Sequence, residues 1–237
     1  LSGGGPTLNN VTFDSNTAGF SGGAMFCQSG ASPTLEDVTF EMNEAGSGGA
    51  LSAVFADLTL EGVSFVRNEA SSAGGGLYLG GSEASLYEVE FYENECLFSG
   101  GGLSCLASSP TIDRASFVRN GGNEGGAIYL DAGSSPVITN TIIAFQFLGA
   151  AVSADAEDEP TVTRVCVYDN FGGDDLGAVG TDVINVDPLL CGLFDGDLSL
   201  CSNSPCLPEN NDWNEQLGAQ PAGCDSCSSS TPALILK

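Results

Sequence analysis

The chain has no histidine, and its 237 residues include only five lysines and arginines against 31 aspartates and glutamates. Without histidine, imidazole-based acid–base catalysis, serine or cysteine triads and histidine zinc sites all drop out together. The resulting formal charge of −26 repels phosphate backbones, so nucleic acid is excluded as a partner. No run of about 18 apolar residues is present, so no membrane span is expected. Sustained helical periodicity is missing as well. The sequence opens without Met or a charged signal region, as expected of a processed secreted product or an excised piece of a longer protein.

What is present is repetition. The phrase F-x-x-N recurs at Phe13–Asn16, Phe40–Asn43, Phe65–Asn68, Phe91–Asn94 and Phe117–Asn120, with a degenerate copy at Val167–Asn170. A second phrase, G-G-[A/L], begins at Gly22, Gly48, Gly75, Gly101 and Gly125, so the step is 24 to 27 residues. Such a period marks a solenoid. Aligned on Leu8, Leu35, Leu60, Leu86, Ile112, Ile138 and Val162, apolar residues fall at equivalent positions in every copy. Their β-branched and aromatic character suits half-buried strands. The column Asn16, Asn43, Asn68, Asn94, Asn120 and Asn170, with Gln146 in the sixth copy, reads as a stacked amide ladder at left-handed corners.

These columns predict an all-β fold: a right-handed parallel β-helix of about seven coils over residues 1–186, roughly 35 Å long. Residues 187–237 have lost the repeat and read as a cysteine-rich C-terminal cap and tail. Cys191, Cys201, Cys206, Cys224 and Cys227 are disulfide candidates there, which implies an oxidising compartment. Cys96 occupies a small-residue column and reads as a buried hydrophobe.

The F-x-x-N and G-G-A phrases resemble the repeat of the chlamydial polymorphic outer-membrane proteins, and more broadly of secreted bacterial β-helix proteins of the pectin-lyase-like class. Asp187-Pro188-Leu189-Leu190 is similar to the closing segment of many such proteins. The resemblance implies an extracellular or bacterial cell-surface location and a non-enzymatic structural or adhesive role. A polysaccharide-binding or polysaccharide-degrading protein is the alternative.

For catalysis the candidates are Glu88 with Arg114, neighbours on adjacent coils, and Arg67, Glu93 and Arg119 in one column; each set reads first as a surface ion pair. Glu44, Glu69 and Glu95 stack on three consecutive coils and are candidate calcium ligands. The acidic run Asp155, Glu157, Asp158 and Glu159 and the pair Asp174-Asp175 are weaker ones. Phe145, Phe147 and Phe171 make an aromatic patch on the sixth and seventh coils that is a candidate glycan or protein contact, unless the tail, with Trp213 and Leu217, covers it. The apolar segment 231–237 is a candidate strand donor to another copy, giving end-to-end assembly.

Overall fold

The computed structural model describes residues 1–176 and 181–228. Successive coils pair in parallel, in the register that the sequence columns predict: Leu8 faces Leu35, Leu35 faces Leu60, and Phe40 faces Phe65. Each coil carries up to four short strands, because four corners bend the chain. In the third coil the strands are Leu58–Glu61, Ser64–Val66, Glu69–Ala73 and Leu77–Gly80. In the sixth and seventh coils the first two fuse into Val137–Ala144 and Thr161–Tyr168. An additional strand, Thr181–Ile184, pairs with the latter, so the helix has about eight turns where seven were expected. Its sequence lacks both phrases, which is why the columns stop short of it.

The interior is one continuous apolar column of Leu, Val and Phe side chains. Phe13, Phe40, Phe65, Phe91 and Phe117 stack face to face with centroids 5.1, 5.1, 4.8 and 4.5 Å apart. Ring stacking of this kind is worth about 1 kcal/mol per pair beyond area burial.

The asparagine ladder runs as predicted, but the left-handed residue is the one before each asparagine. Ser15, Met42, Arg67, Glu93, Arg119, Phe145 and Asp169 all have φ between 52° and 61°. Each such residue costs about 1 kcal/mol or more. The asparagine offsets that cost by tying the corner to both neighbours. Asn68 Nδ2 donates to Asn94 Oδ1 (2.9 Å) and back to the Phe40 carbonyl (3.0 Å), while its backbone N–H donates to Asn94 Oδ1 (3.0 Å). A second buried ladder, of hydroxyls and not foreseen from the sequence, joins Ala56, Ser82, Ser108 and Ser134 through N–H···Oγ bonds. At the Gly-Gly corner glycine is obligatory on every one of the first five coils. Gly22, Gly48, Gly74, Gly100 and Gly125 have φ from 61° to 69°, and an added Cβ would collide with the carbonyl three residues on.

Among the described residues, no strand of the cysteine-rich segment pairs with the last rung, Thr181–Ile184. The segment lies along the flank. Leu190–Gly192 and Asp197–Cys201 pair antiparallel, and Ala222–Cys224 joins them. Two disulfides, Cys191–Cys224 and Cys201–Cys227, hold this unit. Its apolar side covers outward-facing residues of five coils, from Val66 through Tyr92, Val118 and Ala144 to Cys166, in a second core. Tyr92 Oη donates to the Leu193 carbonyl (3.0 Å), and the Ala219 N–H donates to Ser116 Oγ (3.0 Å). The reason lies in the coils, whose outer faces there carry apolar rather than charged residues. Cys206 departs from the expected pairing: it is a free, buried thiol packed in that second core with Cys166. Segment 231–237, the candidate strand donor, lies outside the described residues.

Candidate functional site

The sixth-coil aromatics divide between two environments. Phe145 occupies a left-handed corner, is 7% exposed, and packs edge-on against Tyr168 with centroids 5.6 Å apart. Trp213 packs against the same second core. The tail therefore covers most of Phe145, although Phe145 still lines the cleft beside Phe147 and Phe171, and Trp213 is part of that cover, not an exposed contact. Phe147 and Phe171 remain 42% and 77% exposed. They line that 330 Å³ cleft with Arg119, Asp169 and Leu193. Phe147 lies over Gly121, where any Cβ would strike its ring, which accounts for glycine in a column that carries glutamate on the three preceding coils. Gln146 keeps the ladder running: its amide accepts from Asn120 N–H and donates to the Phe117 carbonyl.

The charged candidates are paired with one another. Arg67 and Arg119 both donate to Glu93, at 2.9 and 3.0 Å. Burial alone would raise the Glu93 carboxyl, but the two guanidinium hydrogen bonds outweigh it and hold the group below the ordinary carboxylate value. Arg114 meets Glu88 at 3.1 Å and Tyr87 Oη at 3.0 Å. Arg164 donates to Asn140 Oδ1 at 2.8 Å. The contacts to Glu93 and Glu88 are the surface ion pairs expected from the columns, and partly exposed pairs of this type are worth under about 1 kcal/mol each.

Glu44, Glu69 and Glu95 stand in register on three parallel strands, exposed to solvent. Their carboxylates do not gather into a compact set. Among the described residues, the one group of three candidate ligands within 4.8 Å is Cys191, Cys201 and Cys224, all disulfide-bonded. Two of the other acidic candidates have structural employment. Asp158 Oδ1 accepts from Ser134 N–H (2.7 Å) and ends the hydroxyl ladder. Asp174 Oδ1 accepts from Asn170 N–H and Nδ2 and ends the amide ladder.

A surface not foreseen from the sequence lies on the ladder of strands Met25–Gln28, Leu51–Val54, Leu77–Gly80, Leu103–Leu106, Ile128–Asp131 and Val152–Ala154. Strand alternation turns Met25, Leu51, Leu77, Leu103 and Ile128 into the core. The next residue of each strand therefore faces outward, and these form the series Phe26, Ser52, Tyr78, Ser104, Tyr129, Ser153, paired rung by rung. Aromatic and serine alternate without exception. Tyr78 leans along its strand over Gly80, whose absent side chain leaves the ring room. Ser52 is fully covered, and its Oγ has no partner among the described residues. A 300 Å³ cleft opens over Tyr78, Ser104 and Tyr129, walled by Phe98 on one side and by Leu106 and Asp131 on the other. Burial, then the Asp131 carboxylate, raises both tyrosine hydroxyls above their ordinary value, so they stay protonated donors. The alternation has a period of two coils, so the single-coil phrases do not contain it. Extending the column alignment past the Gly-Gly corner would have found it.

Residues 1–185 match the family described as "Right handed beta helix region". The chain belongs to that family. No curated protein matches the chain. No solved structure matches it either. In this right-handed β-helix the matched span ends beside the last rung, Thr181–Ile184, leaving the disulfide-linked segment outside it.

Proposed function

We propose that this β-helix is a non-catalytic, extracellular carbohydrate-binding protein with an adhesive role, and that its contact surface is the alternating aromatic–serine face. The observation that carries the reading is the rung-by-rung series Phe26, Ser52, Tyr78, Ser104, Tyr129, Ser153 beside a cleft open to solvent. Flat aromatic faces stack on the C–H faces of sugar rings, and the Tyr78 and Tyr129 hydroxyls with the Asp131 carboxylate supply the hydrogen bonds that fix orientation, while the covered Ser52 and Ser104 space the rings. A parallel β-ladder holds these groups at fixed intervals, so little entropy is lost on binding.

Binding without turnover is supported by the state of the charged residues. Arg67, Arg114 and Arg119 are each tied to a glutamate, and the tail packs over part of the face that carries them. The two disulfides favour an oxidising, extracellular setting. The test is a glycan array probed with the wild-type chain and with a Tyr78→Ala/Tyr129→Ala double variant. The reading expects retention of wild type on at least one glycan class, loss of it in the double variant, and no change in the length of any retained oligosaccharide on prolonged incubation. Binding that the double variant keeps, or shortening of the ligand, would refute it.

A further inference from the structure

Resting on the carbohydrate-binding reading, we infer that the aromatic–serine face takes a neutral, extended β-1,4-linked glycan of at least five sugars, lying along the helix axis. Rungs of a parallel β-helix repeat at about 4.8 Å, so aromatics on every second rung stand roughly 10 Å apart. Phe26, Tyr78 and Tyr129 occupy those rungs in unbroken register. That interval is one disaccharide of an extended β-1,4-linked chain, in which consecutive sugars are turned over and every second ring presents the same face. Sugars one, three and five then stack on the three aromatic residues. Sugars two and four lie over the Ser52 and Ser104 rungs. An α-1,4-linked glucan coils away from a straight row and cannot keep this register.

Charge narrows the class further. At −26 the protein repels uronate-rich and sulfated chains. Asp131, on the wall of the cleft, is suited to accept from a neutral sugar hydroxyl and would oppose a carboxylate. Phe98, 62% exposed, adds an apolar wall along the same cleft.

The experiment is calorimetric titration of the full chain with cellohexaose, chitohexaose, maltohexaose and hexagalacturonate, then with the di- and tetrasaccharide of whichever binds. The inference expects cellohexaose or chitohexaose to bind. The disaccharide, which reaches one ring, should bind at least about 100-fold more weakly, at roughly ten-fold for each of the two rings beyond its reach. Tyr78→Ala and Tyr129→Ala should each weaken binding by about ten-fold, and Tyr78→Phe, which keeps the ring, by much less. If an alanine variant fails to fold, the linkage and length series on wild type decides alone. Tight binding of maltohexaose or hexagalacturonate that is abolished in the tyrosine variants would overturn this inference and leave the carbohydrate-binding face standing. No binding by any hexamer at millimolar concentration, or binding indifferent to Tyr78 and Tyr129, overturns both.

Discussion

Replacing Asn94 by alanine tests whether the amide ladder holds the corners of this fold. Asn94 is fully buried in the fourth coil. Its Oδ1 accepts from Asn68 N–H (3.0 Å) and Asn68 Nδ2 (2.9 Å), and its Nδ2 donates to the Phe65 carbonyl (2.8 Å) and to Asn120 Oδ1 (3.0 Å). Alanine removes all four bonds. Asn120 Oδ1 keeps the Asn94 N–H, but Asn68 N–H, one Asn68 amide proton and the Phe65 carbonyl lose these partners. At about 1–3 kcal/mol for each buried polar group left unpaired, three groups give roughly 3–9 kcal/mol, and relaxation of the corner brings the expected loss to about 4 kcal/mol. Asn16→Ala is the internal control. Asn16 is exposed on the first coil and its side chain makes one amide bond, to Asn43 Oδ1 (2.9 Å). Its removal should cost under about 1 kcal/mol. Urea unfolding followed by far-ultraviolet circular dichroism measures both variants in the same background. If the two lie within roughly 0.5 kcal/mol of each other, the ladder is ornament and the corners are held by core packing alone.

Three further outcomes follow from the same structure. Burial raises the Glu90 carboxyl, only partly countered by hydrogen bonds from Ser64 and Gln220, so its folded form holds a proton more tightly than the unfolded chain does. The stability this provides is complete below the ordinary carboxylate value of about 4.3 and is lost as pH rises through the raised folded value. Glu90→Gln should therefore raise Tm at pH 8 and change it little at pH 4; an unchanged Tm at pH 8 contradicts the assignment. Reducing Cys191–Cys224 and Cys201–Cys227, which close separations of 33 and 26 residues, should remove roughly 3 kcal/mol each from the flank segment. Trp213 emission should then shift to the red while the β-sheet dichroism persists, and simultaneous loss of both signals would show that the helix depends on its strap. Phe91→Ala, in the middle of the stacked rings, should cost about 3–5 kcal/mol in urea unfolding, whereas exposed Phe171→Ala should stay within about 0.5 kcal/mol.

The coil was legible because its inner columns repeat every coil. Phe13 through Phe117 and Asn16 through Asn120 each recur once per turn, and their stacking in space follows from that alone. The left-handed corner residues were not legible, since Met42, Arg67 and Phe145 share no chemistry that announces a positive φ. They adopt it because the following amide anchors the chain on both sides. The flank position of the cysteine-rich segment was hidden for a different reason. It depends on outward residues such as Tyr92, Val118 and Ile142, whose apolar character reads in sequence as part of the core. Cys206 likewise counted as a disulfide candidate by its place among other cysteines, while packing sets it in the second core with Cys166.

The most direct measurement is a crystal structure of the chain with the oligosaccharide that binds it best. The account predicts sugar rings stacked over Tyr78 and Tyr129, running along the helix axis past Ser104. Sugar density in the Arg119–Phe147–Phe171 cleft, with the aromatic–serine face bare, would contradict it.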